Sequence, residues 1–347
     1  MSTSNLTLFN TKLKDLKAAK KEWSERLLRV PRVAGFRAFA SATSVAPDQN
    51  VVGVGIGEQI VDGKPTGFTA VKFFVRVKYA EQELSRKTLL PKSISGLPVD
   101  VEETGWFRRF PVVQAKKRAK AATKLPNPKT KFRPGQPGCS VGFRDPNNQF
   151  NMAGTFGAVV KDSAGLYILS NNHVLADESR LPIGAPIFQH GLLDGGNPNT
   201  DQIAALTRFV ALQAAGNKVD CAIAKVTSND LVSKDVLHIG APTGTADAAI
   251  DMSVHKFGRT TSYTVGRVTS VDTDVTVGYE TGNFTFQEQI IIVGRSGHPF
   301  SAAGDSGSLI LERGTNKAIG LLFAGSTSHT IANHLGDVLQ GLKVALA

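Results

Sequence analysis

Apolar residues recur at helical spacing near the start of the chain. They lie 4, 3, 7 and 4 positions apart on one helical face: Phe9, Leu13, Leu16, Trp23 and Leu27. The pattern predicts a helix over residues 5–30 that ends before Pro31. Its apolar face either packs against its own domain or binds a partner, and the pattern alone leaves both alternatives open.

Residues 51–104 carry a pattern of strands. The runs "VVGVGIGEQIV" and "FTAVKFFVRV" are rich in β-branched residues and are separated by the turn "DGKPTG". The stretch "AEQELSR" predicts one short helix, and "LPVDVEET" predicts a last strand. After a lead-in over 1–50, we therefore expect a small α/β domain over 51–105. The glycine-rich "GVGIG" is followed by a strand rather than a helix, so we expect no nucleotide site there.

The remaining sequence alternates short apolar runs with Gly, Asn, Asp and Pro turns. Typical runs are "LYILSNN", "VDCAIAKV", "GSLILE" and "KAIGLLFAG". Many short strands at close spacing are typical of a β-sandwich or barrel. We therefore predict a mainly β domain over 139–347, joined to the front domain by a linker over 106–138.

The positive charge of the chain is concentrated in that linker. The whole sequence of 347 residues has a net charge of +11, and residues 107–133 contain ten Lys or Arg and no acidic residue. One interpretation is a solvated tether between domains. The other is a contact with nucleic acid or an acidic partner, because clustered basic residues release counterions from phosphates. In either case like charges repel, so we expect this stretch to be extended and accessible.

Cysteine usage and hydropathy bear on the compartment. The two cysteines, Cys139 and Cys221, are too few for a disulfide framework, which suits a reducing environment. The first residues contain no continuous apolar stretch of the kind a signal peptide needs. No run of eighteen apolar residues occurs that would span a membrane. We therefore expect a cytoplasmic protein without a membrane partner, and non-classical export stays open.

The stretch "GDSGS" at 304–308 raises the question of a nucleophile. A serine hydroxyl needs a base within hydrogen-bonding reach, and that base needs an orienting acceptor. "SNNHVL" places His173 after a strand-like run, and "VDCAIA" places Asp220 at the start of another. The order is His, Asp, Ser306, with gaps of 47 and 86 residues. Each residue alone has a structural interpretation: a tight turn at Ser306, a satisfied histidine at His173 and a turn cap at Asp220. The three together favour catalysis.

These three motifs resemble those of trypsin-like (chymotrypsin-fold) serine proteases, in the same order, over residues 139–347. The variant Gly-Asp-Ser-Gly-Ser is similar to that of bacterial glutamyl-endopeptidase-like and HtrA-like members. The whole chain resembles uncharacterised bacterial trypsin-like proteins and, more distantly, plant NARROW LEAF1-type proteins. The resemblance implies a chymotrypsin-like double β-barrel and hydrolysis of a peptide or protein substrate without cofactor or metal.

The resemblance also implies a role for each site residue. Ser306 attacks the peptide carbonyl, His173 takes its proton, and Asp220 orients the imidazole. The backbone N–H groups of Gly304 and Ser306 form the oxyanion hole.

Further residues follow from the same resemblance. In bacterial relatives of the stretch "VHKFGRTTSYTVGRVTS", a basic residue pairs with the Asp before the nucleophile. Here these residues are Lys256 and Asp305, and the pair implies a preformed site. By position, Phe300, Gly325 and His329 line the substrate pocket, where His329 would favour an acidic side chain.

One departure from the family concerns the partner of the triad carboxylate. Relatives carry a Ser bonded to the triad Asp where this chain has Phe323, so Asp220 must find other donors. Two functions remain open at this point. One is a serine endopeptidase, and the other is a catalytically weak or inactive protease-fold binding module that acts through the basic linker.

Overall fold

The computed structural model describes residues 3–28, 45, 47–61, 63–109, 125–147, 152–295 and 297–347. Helices in this part of the chain are α1 Thr3–Leu27, α2 Asn172–Leu175 and α3 Leu335–Leu342. The strands are β1 Val51–Val61, β2 Lys64–Val75, β3 Ser93–Ile94, β4 Leu97–Glu103, β5 Ser140–Phe143, β6 Gly154–Thr155, β7 Ala158–Asp162, β8 Gly165–Ser170, β9 Pro186–Phe188, β10 Gln202–Phe209, β11 Ala222–Val226, β12 Ser253–Gly258, β13 Ser262–Gly278, β14 Asn283–Gly294, β15 Leu309–Glu312, β16 Ala318–Gly325, β17 His329–His334 and β18 Ala345–Leu346.

Six strands in the second half close into the carboxyl-terminal barrel. Their order is β12-β15-β16-β17-β14-β13, and β12 also pairs with β13, which completes the ring. Alternate residues of these strands point inward, as a barrel requires. The interior holds a cluster of buried aliphatic side chains, including Val254, Val268, Ile290, Ile310 and Leu322.

An amino-terminal barrel precedes it in the sequence. Its strands follow the order β7-β8-β11-β10-β9-β5-β6. Only Phe156 and Gly157 separate β6 from β7, so the last strand in this order lies next in sequence to the first. A Cβ on Gly157 would collide with the backbone carbonyl groups of Gly307 and Leu169. The two barrels therefore approach each other as closely as backbone atoms allow. The predicted mainly β, double-barrel fold with a preceding helix is confirmed.

Helix α1 packs against its own chain. Leu16 and Ala19 are buried in one cluster with Val54 and Phe73 of the front strands, and the ring of Trp23 meets that of Phe73 edge-on at 5.4 Å. For the described side chains, the first of the two alternatives for this helix therefore holds.

The front strands continue the sheet of the carboxyl-terminal barrel. Strand β1 pairs antiparallel with β13, with Gly53 opposite Val275, and β2, β4 and β3 follow outward to make a ten-stranded sheet. The turn between β1 and β2 makes the glycine-rich run part of a hairpin, as predicted. The predicted short helix is a 3-10 helix of three residues, Glu81–Glu83. The predicted domain boundary near residue 105 stays a prediction, because the front strands and the carboxyl-terminal barrel share one sheet.

The predicted linker lies partly outside the described residues, which omit 110–124. Its described flanks are packed against the two barrels. Phe107 is fully buried, Arg109 is 6% exposed and ion-paired, and the ammonium of Lys131 lies 2.5 Å from the carboxylate of Asp201. The expectation of accessibility is therefore wrong for Phe107 and Arg109, whereas Lys131 keeps 44% of its side chain exposed although it pairs with an acid of the same chain.

Both cysteines are buried, and neither takes part in a disulfide. Within the described ranges, no helix combines the length and the apolar character that crossing a membrane requires.

The attachment of α1 to β13 generates a stability prediction. Lys20 is nearly buried, and its ammonium lies 2.9 Å from Asp272 and 2.5 Å from Asp274. Lys20→Ala removes the near cation from two partly buried carboxylates and leaves the exposed Lys17, 3.9 Å from Asp272. We expect the free energy of unfolding to fall by about 2–4 kcal/mol in urea titrations. The matched control is Lys21→Ala, because Lys21 is exposed and its loss should cost less than about 0.5 kcal/mol. Equal losses for the two variants would contradict this account of the interface.

Candidate active site

Strand pairing brings His173 and Asp220 together. His173 lies on the single turn of α2, directly after β8, and Asp220 lies directly before β11, the strand that pairs with β8. The His173 Nδ1 and Asp220 Oδ2 atoms are 2.5 Å apart, and both side chains are almost completely buried. A pairing of neighbouring strands thus places two residues in contact that are 47 positions apart.

Tyr279 supplies the donor that Phe323 lacks. Its hydroxyl donates to Asp220 Oδ2 at 2.7 Å, and the backbone N–H of His173 donates to Asp220 Oδ1 at 3.3 Å. Tyr279 directly follows β13, so it reaches the carboxylate from the other barrel. Sequence reasoning missed this residue, because a tyrosine in the turn "GYETG" carries no motif that marks it.

Two pKa shifts keep this cluster in one protonation state. Burial alone would raise the pKa of Asp220, but the charge of His173 and the hydrogen bonds from His173 and Tyr279 outweigh burial and lower it. Burial, with the neighbouring Asp220 charge, raises the pKa of Tyr279 well above its ordinary value. Asp220 is therefore a carboxylate and Tyr279 a protonated donor at neutral pH.

Ser306 lies at the seam between the barrels, in the loop between β14 and β15. Its carbonyl accepts the N–H of Thr155 at 2.8 Å, and the carbonyl of Thr155 accepts the hydroxyl of Ser170 at 2.7 Å. Ser170 ends the strand that leads to His173, so two hydrogen bonds through Thr155 link the backbone of Ser306 to that strand.

The hydroxyl of Ser306 does not bond to the imidazole in this structure. It donates to the carbonyl of Phe323 at 3.3 Å. Among the described residues, the buried His173 Nε2 has no hydrogen-bond partner. Hydrogen bonds in substrate-free sites are often long or misdirected and tighten only around a substrate.

The loop before Ser306 presents two free donors. The N–H groups of Gly304 and Ser306 have no acceptor within the described part of the chain. The carbonyl of Ala303 accepts the hydroxyl of Thr260 at 2.6 Å, and that of Gly304 accepts Thr155 Oγ1 at 2.9 Å. Because the N–H and C=O of a trans peptide point in opposite directions, Thr260 fixes the direction of the Gly304 N–H.

Asp305 and Lys256 are both fully buried and lie together as predicted, with Lys256 Nζ 3.4 Å from Asp305 Oδ2. Shorter contacts also hold this carboxylate: the N–H groups of Thr260 and Ala302 at 2.8 and 2.9 Å and the hydroxyl of Thr261 at 2.7 Å. Burial lowers the pKa of Lys256, and the charge of Asp305 opposes that shift. Lys256 therefore provides the countercharge, and its influence on the site stays a prediction.

The three predicted pocket residues are all engaged within the chain. Phe300 is buried in the interior cluster of the carboxyl-terminal barrel, where its ring meets the Lys256 ammonium. His329 Nε2 lies 2.9 Å from the Glu102 carboxylate, and the backbone of Gly325 pairs with that of Arg108. Burial would raise the pKa of Glu102, but His329, together with Lys72, lowers it to about 2. His329 thus already faces an acidic side chain, one from its own chain.

Comparisons with known proteins find distant likenesses to solved structures. No protein-family model matches the chain, and no curated protein sequence matches it. Among solved structures, it is similar to Thermobifida fusca Protease A, with 19% identity, a TM-score of 0.44, and coverage of 61% of this chain and 97% of that one.

Two further structures show a comparable likeness. One is described as a glutamic acid specific serine protease that uses a histidine triad in substrate binding, with 17% identity, a TM-score of 0.43, and coverage of 61% and 100% of the two chains. The other is Nocardiopsis protease, with 17% identity, a TM-score of 0.42, and coverage of 60% and 97%.

The Tyr279–Asp220 hydrogen bond generates a pH-dependent prediction. Tyr279→Phe removes one donor from a buried carboxylate, so we expect the free energy of unfolding at pH 7 to fall by about 1.5–3 kcal/mol. The pKa of Asp220 is lowered in the folded state, so its contribution is present above the unfolded pKa, about 3.9, and is lost as the pH falls through the folded value. The difference between variant and wild type should therefore shrink below about pH 4.

The matched control for this measurement is Tyr263→Phe, whose hydroxyl faces a histidine, His255, at 3.3 Å rather than a carboxylate. Its cost should not follow the titration of Asp220. A Tyr279→Phe cost that is independent of pH would count against the assignment of Tyr279 as the carboxylate's donor.

Proposed function

We propose that this protein is a serine endopeptidase that hydrolyses peptide bonds through Ser306, His173 and Asp220. One observation carries the proposal: a buried imidazole is held at Nδ1 by a carboxylate, and its Nε2 has no partner among the described residues. It lies at the seam where Ser306 and two free N–H groups also lie. A histidine with only a structural role would be expected to have both nitrogens satisfied when fully buried.

The reaction proceeds by acyl transfer. The Ser306 hydroxyl turns from the Phe323 carbonyl, and its oxygen attacks the carbonyl carbon of the peptide while His173 Nε2 takes the proton. The N–H groups of Gly304 and Ser306 donate to the oxyanion of the tetrahedral intermediate. His173 then gives the proton to the amine that leaves, and an acyl-enzyme forms. Water, deprotonated by His173, attacks the ester and restores the Ser306 hydroxyl.

Asp220 and Tyr279 position the base. The Asp220 carboxylate accepts from Nδ1, which leaves Nε2 free to take the proton, and it stabilises the imidazolium that forms. The hydrogen bond from Tyr279 gives the same carboxylate oxygen a second donor beside His173. Peptide or protein substrates follow from this reaction.

A second candidate is a catalytically weak or inactive protease-fold binding module that acts through the basic linker. The bond between the Ser306 hydroxyl and the Phe323 carbonyl favours it, because a hydroxyl held there is not activated. The nucleic acid or acidic partner that this candidate needs stays a prediction, since half of the ten basic residues lie in 110–124, outside the described residues.

Labelling with a fluorophosphonate probe distinguishes the two functions. We expect the full chain to be labelled at Ser306. Ser306→Ala should abolish labelling, and His173→Ala should slow it by about a thousandfold or more, because triad members act as a unit. Ser85→Ala, which changes an exposed serine, serves as the control and should label like the wild type. If neither the folded wild type nor a folded Arg109→Ala chain, which lacks the ion pair with Glu178, is labelled, the binding module is favoured.

A further inference from the structure

Residues 106–109, here called the strap, lie as an added strand against the carboxyl-terminal barrel. The N–H of Arg108 donates to the Gly325 carbonyl at 3.1 Å, and the Gly325 N–H donates to the Arg108 carbonyl at 3.2 Å. The N–H of Arg109 donates to the Gly278 carbonyl at 3.0 Å. The strap therefore bridges the ends of β16 and β13 through backbone bonds, as a bound peptide does when it adds to a sheet edge.

The strap runs beside the candidate triad. Its pairing with Gly325 is antiparallel, so the strap runs from the Gly325 end of β16 toward Phe323, whose carbonyl holds the Ser306 hydroxyl. On its other side, Gly278 is followed by Tyr279, the donor to Asp220. A peptide that presents a bond to Ser306 along this edge would need the space that the strap fills.

Arg109 anchors the strap in an acidic pocket. Its side chain is 6% exposed, its Nε lies 2.6 Å from the Glu178 carboxylate, and its other nitrogen pairs with Glu280. The Glu178 side chain is fully buried and also accepts from the N–H groups of Glu280 and Thr281, at 3.1 and 3.0 Å. Taking such a carboxylate out of water is unfavourable unless a cation compensates it. The pocket is therefore built for a basic side chain.

The pocket belongs to the loop that follows the candidate base. Asp177, Glu178 and Ser179 lie five residues or so beyond His173, and all three have positive φ values of 48, 55 and 71°. Such conformations are unfavourable for non-glycine residues and cluster at ligand clamps. The side chain of Asn172 holds the loop, since its amide oxygen accepts the N–H of Ser179 at 2.7 Å. Glu178 is thus fixed in place next to the site.

We propose that the Glu178–Glu280 pocket is a subsite for a basic side chain of the peptide substrate. Arg109 occupies this pocket in cis, while the strap covers the end of β16 along which the peptide would bind. The substrate assignment rests on the proposed function, whereas the guanidinium pocket does not. Arginine fits better than lysine, because its planar fork meets two carboxylates at once. Substrates then carry Arg close to the amino side of the cleaved bond, and the strap has to leave before they bind.

Chemical rescue tests the pocket without any catalysis. In the full chain, Arg109→Ala should lower the melting temperature, and millimolar ethylguanidinium should raise it again by about 2 °C or more. The wild type, whose pocket is filled, should not respond. Glu178→Gln in the Arg109→Ala chain should remove the response, and Glu280→Gln, at a half-exposed position, gives the same test where the buried change impairs folding.

Glu288→Gln is the matched control for rescue, because Glu288 is equally exposed and pairs with Lys218 away from the pocket. It should leave the rescue of Arg109→Ala intact. Absence of rescue, or rescue that persists in both Glu178→Gln and Glu280→Gln, overturns the pocket.

Peptide hydrolysis tests the subsite. The Arg109→Ala chain is assayed with pairs of fluorogenic peptides that carry either Arg or norleucine at one position. The pairs differ in which position before the cleaved bond is varied. We expect kcat/KM to favour Arg about tenfold or more at one position, and Glu280→Gln, but not Glu288→Gln, to remove the preference. Hydrolysis without such a preference overturns the subsite. Rescue without hydrolysis of any peptide supports the guanidinium pocket and overturns the proposed endopeptidase.

Discussion

A carboxylate removed from water must be surrounded by donors, and the seam of this molecule is arranged around that constraint at Asp220. Its oxygens accept from His173 in one barrel and Tyr279 in the other. Its backbone is held in the same way, because its N–H donates to Asn333 and its carbonyl accepts from Asn171. The same set of hydrogen bonds therefore orients the imidazole and holds the two barrels together. A substitution that weakens the contact between the barrels therefore also weakens the hold on the His173 imidazole.

The aromatic packing beneath the seam extends this coupling to the nucleophile and the strap. The ring of Tyr279 stacks on Phe286, and Phe286 meets Phe323, whose carbonyl holds the Ser306 hydroxyl. Phe107 of the strap belongs to the same buried cluster. Phe323 thus has a packing role at the position where the sequence resemblance led us to expect a serine hydroxyl. The hydrogen bond that it cannot make comes from a tyrosine that the same packing supports.

Short strands and the order of His173, Asp220 and Ser306 could be recognised in the sequence because each depends on a local pattern. Period-two runs bounded by turn residues predict strands, and the double barrel follows from their number and from the family resemblance. The catalytic roles of the three residues stay predictions. What the sequence could not reveal is non-local: the pairing of β1 with β13, the reach of Tyr279 across the seam, and the acids that receive Arg109. A run of basic residues predicts repulsion and exposure, and it carries no sign of Glu178.

The pairing of β1 with β13 has a consequence for how the chain is made. Gly53 faces Val275, a residue synthesised more than two hundred positions later. At ribosomal rates of about 5–20 residues per second, the front hairpin waits on the order of 10–40 s for its partner strand. During that time its apolar edge is unpaired, and an open edge invites pairing with other chains. Contacts of such long range also slow folding. The front hairpin of β1 and β2 therefore needs protection from other chains during synthesis.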